Sequence, residues 1–193
     1  MTEITLLKII HQGEEEAKKL RTYIESCDVF SCEAQNLTET EARSIERQWL
    51  DALKISSLQF NKMNHERYWG AAPEFMPYNL KRDDYLFRAQ KPIIFLERWS
   101  PEEARALEFA EMKWNADRKL YLDHLRNGRI EEYLKIGSDC LSKFVTGFII
   151  GRDKHIAGNL DRVEQIVQQA YPYVDITNMR FSMELGVGHA PQE

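Results

Sequence analysis

Ile4-Thr5-Leu6-Leu7-Lys8-Ile9-Ile10-His11 is the stretch on which the fold turns. It is short, rich in β-branched residues and leucine, and stops at a polar side chain just before Gly13. An apolar run bounded in this way reads as a buried strand over residues 4–10. Residues 14–26 then carry Ala17, Leu20, Tyr23 and Ile24 at helical spacing. Glu14, Glu15 and Glu16 open that helix, where carboxylates suit the positive end of the helix dipole and face water. Residues 28–33 form a second apolar run, this time closed by Glu33. Strand, helix and strand together predict a βαβ unit whose strands are parallel.

The other end of the sequence carries a matching pattern. A helix is expected from Arg152, and a last strand over residues 178–187 leads into Gly186-Val187-Gly188-His189. In an open α/β sheet, ligands bind outside the carboxyl ends of the strands. His11, Glu33, Arg152 and His189 are therefore candidates for one shared pocket, although they lie far apart along the chain.

The middle reads as mostly helical. Thr38 with Glu41 forms a capping box. From Glu39 to about Tyr68, the residues Ala42, Ile45, Trp49, Leu53 and Leu58 recur on one face, as one long helix or two. The Gly- and Pro-containing residues 70–77 break it, and residues 79–90 suit a short helix. Pro92 precedes a third strand over residues 93–97. Ser100-Pro101-Glu102-Glu103 is a helix start, with serine as cap, proline in the first turn and Glu103 completing the box. That helix is expected to reach Arg126 and end at Asn127-Gly128. Residues 129–150 follow as helix with weak points at Gly137 and Gly147, Gly151 marks a bend, and residues 153–170 are helical up to Tyr171-Pro172. The expected architecture is a single α/β domain over residues 1–193. It has a small, mainly parallel sheet of about four strands, helices covering the sheet, and a large helical insertion over approximately 38–92 and 101–150.

Composition agrees with one self-sufficient core. A chain of 193 residues falls within the range of one domain and hides roughly 70% of its unfolded surface on folding. Hydrophobic residues are 43% and charged residues 30%, as in ordinary globular proteins. The net charge of −5 argues against a nucleic-acid partner, which calls for a basic stripe. Cys27, Cys32 and Cys140 are odd in number and form no CxxC, which reads as reduced thiols in a cytoplasmic protein. The first ten residues lack the basic start of a signal peptide. The apolar stretch 141–150 is interrupted by Lys143 and is far shorter than the ~20 residues that span a bilayer. No membrane partner is expected, and nothing in the pattern fixes the oligomeric state.

Four segments resemble, in order and in context, the superfamily of erythromycin esterase-like proteins, ChaN-like haem-binding proteins, TraB/PrgY proteins and Tiki proteases. That family opens with a strand ending in Gly-x-x-His, followed by a helix and a strand of the type Asp-Val-Val-x-x-Glu. It closes with a helix beginning Arg-Asp/Asn-x-x-Met-Ala and a strand ending in a second Gly-x-x-His. The matching stretches are Lys8-Ile9-Ile10-His11, Asp28-Val29-Phe30-Ser31-Cys32-Glu33, Arg152-Asp153-Lys154-His155-Ile156-Ala157 and Gly186-Val187-Gly188-His189. Lys8 stands where the family has glycine, and Ile156 where it has methionine. The resemblance implies an α/β fold and a hydrolytic pocket built from His11, Glu33, Arg152 and His189. Its Tiki branch implies a divalent metal, held here by His11, Glu33 and His189; its esterase branch implies none.

Each residue has a chemical reading and a plainer one. A neutral His11 at a strand end can take a proton or bind a metal; otherwise it is a turn histidine. Glu33 lies beside buried surface, where a carboxylate needs a partner; otherwise it caps the next turn through Gln35 or Asn36. Arg152 sits at the wrong end of a helix for a cation, which points to a specific anionic partner, Glu33 or a substrate oxyanion. The plainer alternative is a surface salt bridge to Asp153 or Glu184. His189 follows two glycines that allow close backbone approach; otherwise it belongs to a frayed tail. Two histidines and a carboxylate suit zinc, manganese or iron. His155 and Asn159 share the helical face of Arg152, and His155 is expected to be exposed. His65 and His124 are read as structural. Tyr68, Trp69, Phe75 and Tyr78 are read as a lid over the core, and Cys32 as buried and inert.

The expectation is hydrolysis of an ester, lactone or peptide bond in a small-molecule or peptide substrate. His11 or Glu33 would activate water, Arg152 would stabilise developing negative charge, and His189 would act as second base or metal ligand. The alternative is a non-catalytic module on the same fold that binds a small ligand or a protein, which the Lys8 departure favours.

Overall fold

The computed structural model describes residues 2–11, 13–33, 37–68, 76–144 and 150–186. Among them the order is β1 (Glu3–Ile9), α1 (Gly13–Ser26), β2 (Val29–Ser31), α2 (Glu39–Ala52), α3 (Ser57–Arg67), α4 (Met76–Arg88), β3 (Ile93–Ile94), α5 (Pro101–Arg126), α6 (Ile130–Phe144), α7 (Ile150–Leu160), α8 (Val163–Ala170) and β4 (Arg180–Gly186). This is an α/β fold with a parallel sheet of four strands, in the order β1-β4-β2-β3.

The two strands of the expected βαβ unit are parallel but not adjacent, because β4 lies between them. β1 pairs with β4 along its whole length, from Glu3 with Arg180 to Ile9 with Gly186. β2 pairs with β4 on one side and β3 on the other. An interior strand has helices over both faces, so both of its side-chain rows must be buried. Residues 181–185 are all buried.

Alternation along β4 separates two cores. Phe181, Met183 and Leu185 meet Ile156 of α7, Val163, Ile166 and Val167 of α8, and Tyr171. Leu7 and Ile9 of β1, with Phe30 of β2, meet Ala17, Leu20 and Ile24 of α1 and Trp49, Phe60, Tyr78 and Leu86 on the opposite face. Ser182 and Glu184 point into this second layer, since register partners share a face and Glu184 is paired with Leu7.

Capping chemistry sets the helix boundaries. Thr38 and Glu41 form the expected box at α2, and Ser100 and Glu103 form the one at α5, with Pro101 in the first turn. A third box, Ser56 with Gln59, starts α3 and splits residues 39–68 into two helices. α5 ends at Asn127, and Gly128 takes φ +71° in the turn that follows. Gly151 lies inside α7 and is not a bend; the break falls later, at Asp161-Arg162, between α7 and α8.

The two stretches expected as helical insertions behave differently. Within 38–92, α2 and α4 complete the layer over β1 and β2. Within 101–150, α5 and α6 pack on each other as a helical hairpin. That hairpin meets the body of the fold where Leu107 and Ala104 pack on Trp99. No helix among the described residues is long and apolar enough to cross a membrane.

Candidate functional site

The parallel sheet directs every carboxyl end to the same edge. His11 lies two residues beyond the end of β1 and Glu33 two beyond β2, while Glu97 lies three beyond β3. The Nε2 of His11 is 3.6 Å from Oε2 of Glu33. The other oxygen of Glu33 accepts from Nη2 of Arg152 at 3.4 Å. Three of the four residues expected in the pocket therefore converge. The fourth, His189, lies outside the described residues.

Arg152 has a stronger partner than Glu33. Its Nε donates to Oε2 of Glu97 at 3.0 Å and its Nη2 to Oε1 at 2.5 Å, a two-point contact of the kind planar guanidinium makes with carboxylate. Arg152 and Glu97 are both 2% exposed. Such a pair persists only where each charge is matched, because stranding one of them costs several kcal/mol. The misfit of a cation near the start of α7 is resolved by these carboxylates, and not by Asp153 or Glu184.

A second ion pair lies beside the first. Glu184, inside β4 and fully buried, accepts from Nη1 of Arg82 at 2.5 Å and from the Tyr78 hydroxyl at 2.6 Å. Its Oε1 also accepts from the backbone N–H of Glu33 at 3.2 Å, which ties the end of β2 to β4. Arg82 reaches Asp83 through Nε at 3.0 Å and Nη2 at 2.9 Å, and Tyr68 donates to Asp83 at 2.8 Å. Burial and the neighbouring Glu184 push the Tyr78 hydroxyl far above its usual range. Burial is opposed by Glu184 and Asp83, which hold Arg82 firmly charged.

The aromatic residues near α4 are thus more than a lid. Tyr78 packs in the core, stacks at a tilt on His11 with ring centroids 5.0 Å apart, and hydrogen-bonds Glu184. Trp69 and Phe75 lie outside the described residues. Cys32 is buried, and burial pushes its thiol up, which suits an inert side chain.

One face of α7 clamps the segment that follows β3. Arg152 holds Glu97 as described. His155 is not exposed as expected: it is half-buried and stacked on Trp99 with centroids 3.8 Å apart. Its Nε2 lies 2.7 Å from the carbonyl oxygen of Arg98. The same Nε2 lies 3.0 Å from Nδ2 of Asn159, so the tautomer of the ring decides which of the two it bonds. Asn159 donates to the carbonyl of Leu96 at 2.7 Å. Arg98 turns the other way, bonding Glu46 and, at 3.1 Å, Glu39. Burial raises the Glu46 carboxyl against the pull of Arg98. His65 is exposed and His124 half-buried, both remote in the chain from these contacts.

The charge count decides what the edge can do. Glu33 and Glu97 face Arg152, and Glu184 and Asp83 face Arg82, with Arg67 3.7 Å from Asp83. The four carboxylates outnumber the three guanidinium groups by one, before His11 is counted. The Nε2 of His11 is closed off from solvent without a hydrogen bond, and its side chain is 23% exposed. The cluster meets the surface at His11 and, beside Asp83, at Arg67. Among the described residues no group of three or more His, Cys, Asp or Glu side chains could hold a metal ion; His11 and Glu33 contribute two donors, one of them on a carboxylate already shared with Arg152.

Fold and site define an α/β protein whose parallel strands end in a buried network of ion pairs with one histidine at its mouth. No family model, curated protein or solved structure matches the chain.

Proposed function

We propose that the chain is a cytoplasmic hydrolase of the erythromycin esterase/ChaN/TraB/Tiki type, acting on an ester, lactone or peptide bond at the His11 mouth of the network. The observation that carries this reading is the 3.6 Å approach of His11 to a Glu33 that Arg152 holds from the far side. A carboxylate placed behind an imidazole orients the ring and stabilises its charged form as it takes a proton. His11 is then the base that activates water, and Glu33 its orienting partner. Arg152, engaged by two carboxylates, positions Glu33. His189 belongs to the pocket by the sequence resemblance alone. A divalent metal, where the Tiki branch of the resemblance applies, would be held by His11, Glu33 and His189.

The test is hydrolysis of a panel of activated esters, lactones and peptides by the wild-type chain and by His11→Ala. The substitution removes a partly exposed side chain, so the melting temperature should stay close to wild type while turnover falls by roughly 100-fold or more. Equal turnover by the two proteins rejects the reading.

The second reading is a non-catalytic binding module. The mutual neutralisation of Arg152 with Glu97 and of Arg82 with Glu184 favours it, as does Lys8 in place of the family glycine. Ligand-dependent stabilisation without turnover in the same panel is its expected signature.

A further inference from the structure

The α5–α6 hairpin carries much of the exposed apolar surface. Phe109, Met112 and Leu120 on α5 are 71%, 65% and 53% exposed. With Ala116, also exposed, they follow one another at steps of three, four and four residues. At about 100° per residue these steps keep them in one stripe. Leu107 is buried and Trp114 half-buried on the other side of the helix. The stripe therefore faces away from the body of the fold. Large apolar patches on a soluble domain mark an interaction surface.

Charge selects the occupant. The first half of α5 holds Glu102, Glu103, Glu108 and Glu111 against Arg105; the second half holds Lys113, Arg118, Lys119 and Arg126 against Asp117 and Asp123. A helix that is acidic at one end and basic at the other complements a reversed copy of itself. Turning a second α5 about a two-fold axis between Met112 and Ala116 sets Phe109 on Leu120 of the second copy and Met112 on its Ala116, large against small. The same turn brings Arg105 to Asp123 of the second copy, since these two continue the stripe at its ends, and Glu108 to its Lys119, since both lie on one flank of the stripe and a two-fold axis keeps that flank on one side. A parallel pairing would instead oppose Glu108 to Glu108 and Lys119 to Lys119, which costs stability.

We propose that α5 is a self-association surface through which two copies of the chain pair antiparallel along Phe109, Met112, Ala116 and Leu120, in register with the Arg105–Asp123 and Glu108–Lys119 contacts. The proposal is independent of the hydrolase reading, since none of these residues touches the strand-end network.

Sedimentation velocity of the full chain over a rising concentration series tests it. The wild type is expected to pass from monomer to dimer. Phe109→Glu should stay monomeric throughout and keep the wild-type circular dichroism and melting curve, since the side chain is exposed. Arg105→Glu should weaken the dimer by roughly tenfold or more, and adding Asp123→Arg should restore it. A wild type that is monomeric at every concentration overturns the proposal, as does a dimer that survives Phe109→Glu. Failure of Asp123→Arg to rescue Arg105→Glu overturns the antiparallel register and the proposal with it. A monomeric chain that co-floats with phosphatidylcholine–phosphatidylglycerol vesicles makes lipid the occupant, and overturns it too.

Discussion

The guanidinium of Arg152 and the carboxylate of Glu97, 55 residues apart, meet through two hydrogen bonds in a buried site. This contact fixes α7 to the end of β3. It also sets where Glu33 can sit, since the same Nη2 of Arg152 reaches both carboxylates. Position and charge at the strand ends are therefore coupled.

Breaking that pair should be costly. Glu97→Ala takes the two-point partner from Arg152, whose contact with Glu33 is longer, at 3.4 Å, and removal of one member of a buried ion pair costs about 3–5 kcal/mol. Urea unfolding of the variant should show an unfolding free energy lower by that amount, read as a lower midpoint at unchanged slope. A midpoint equal to wild type would mean that Glu97 is solvated rather than clamped.

The Tyr78 hydroxyl should matter less, in proportion. Tyr78→Phe keeps the ring in the core and deletes one hydrogen bond to the charged Glu184. A bond to a charged group contributes about 1.5–3 kcal/mol. A loss larger than that for Glu97→Ala would contradict the ranking of the two contacts.

Glu46 supplies a pH signature. Burial raises its carboxyl in the folded state above the usual glutamate range, so the folded chain binds the proton more tightly than the unfolded chain. Its contribution is fully present below the unfolded pKa and is lost as pH rises through the folded one. Glu46→Gln mimics the neutral form and lacks this dependence. The melting temperature of wild type relative to Glu46→Gln should fall as pH goes from about 4 to about 7; a rise would reverse the assigned sign.

Thiol labelling checks the packing under β2. Cys27 and Cys32 are buried, and burial pushes the Cys27 thiol up to about 11. At neutral pH almost no thiolate forms, so native protein should leave both unmodified by iodoacetamide, and unfolded protein should alkylate both. Peptide mass spectrometry distinguishes these outcomes, and rapid native labelling at Cys32 would refute the buried placement.

Local rules were enough for much of this architecture. The boxes at Thr38 and Ser100, the turn at Gly128 and the polar closures of the first two strands are short-range signals that the fold obeys. Ser56 with Gln59 carries the same signal as the other boxes and decides between the one long helix and the two that residues 39–68 allowed. Glu97 closes an apolar run just as Glu33 does, so the reasoning that selected one applies to the other. Glu184 is harder to find, because a carboxylate in a buried strand declares its need for a partner but not which one. Arg82 and Tyr78 come from a helix over 100 residues earlier. No periodicity encodes that meeting, nor the insertion of β4 between β1 and β2, because strand order depends on the packing of whole layers.

That insertion has a consequence for how the molecule is made. β4 follows every other described element in the chain, and among the described residues β1 has no other strand beside it. A nascent polypeptide halted on the ribosome before Arg180 would hold the left and right portions of its sheet without the piece that joins them. The four-stranded sheet therefore waits on β4.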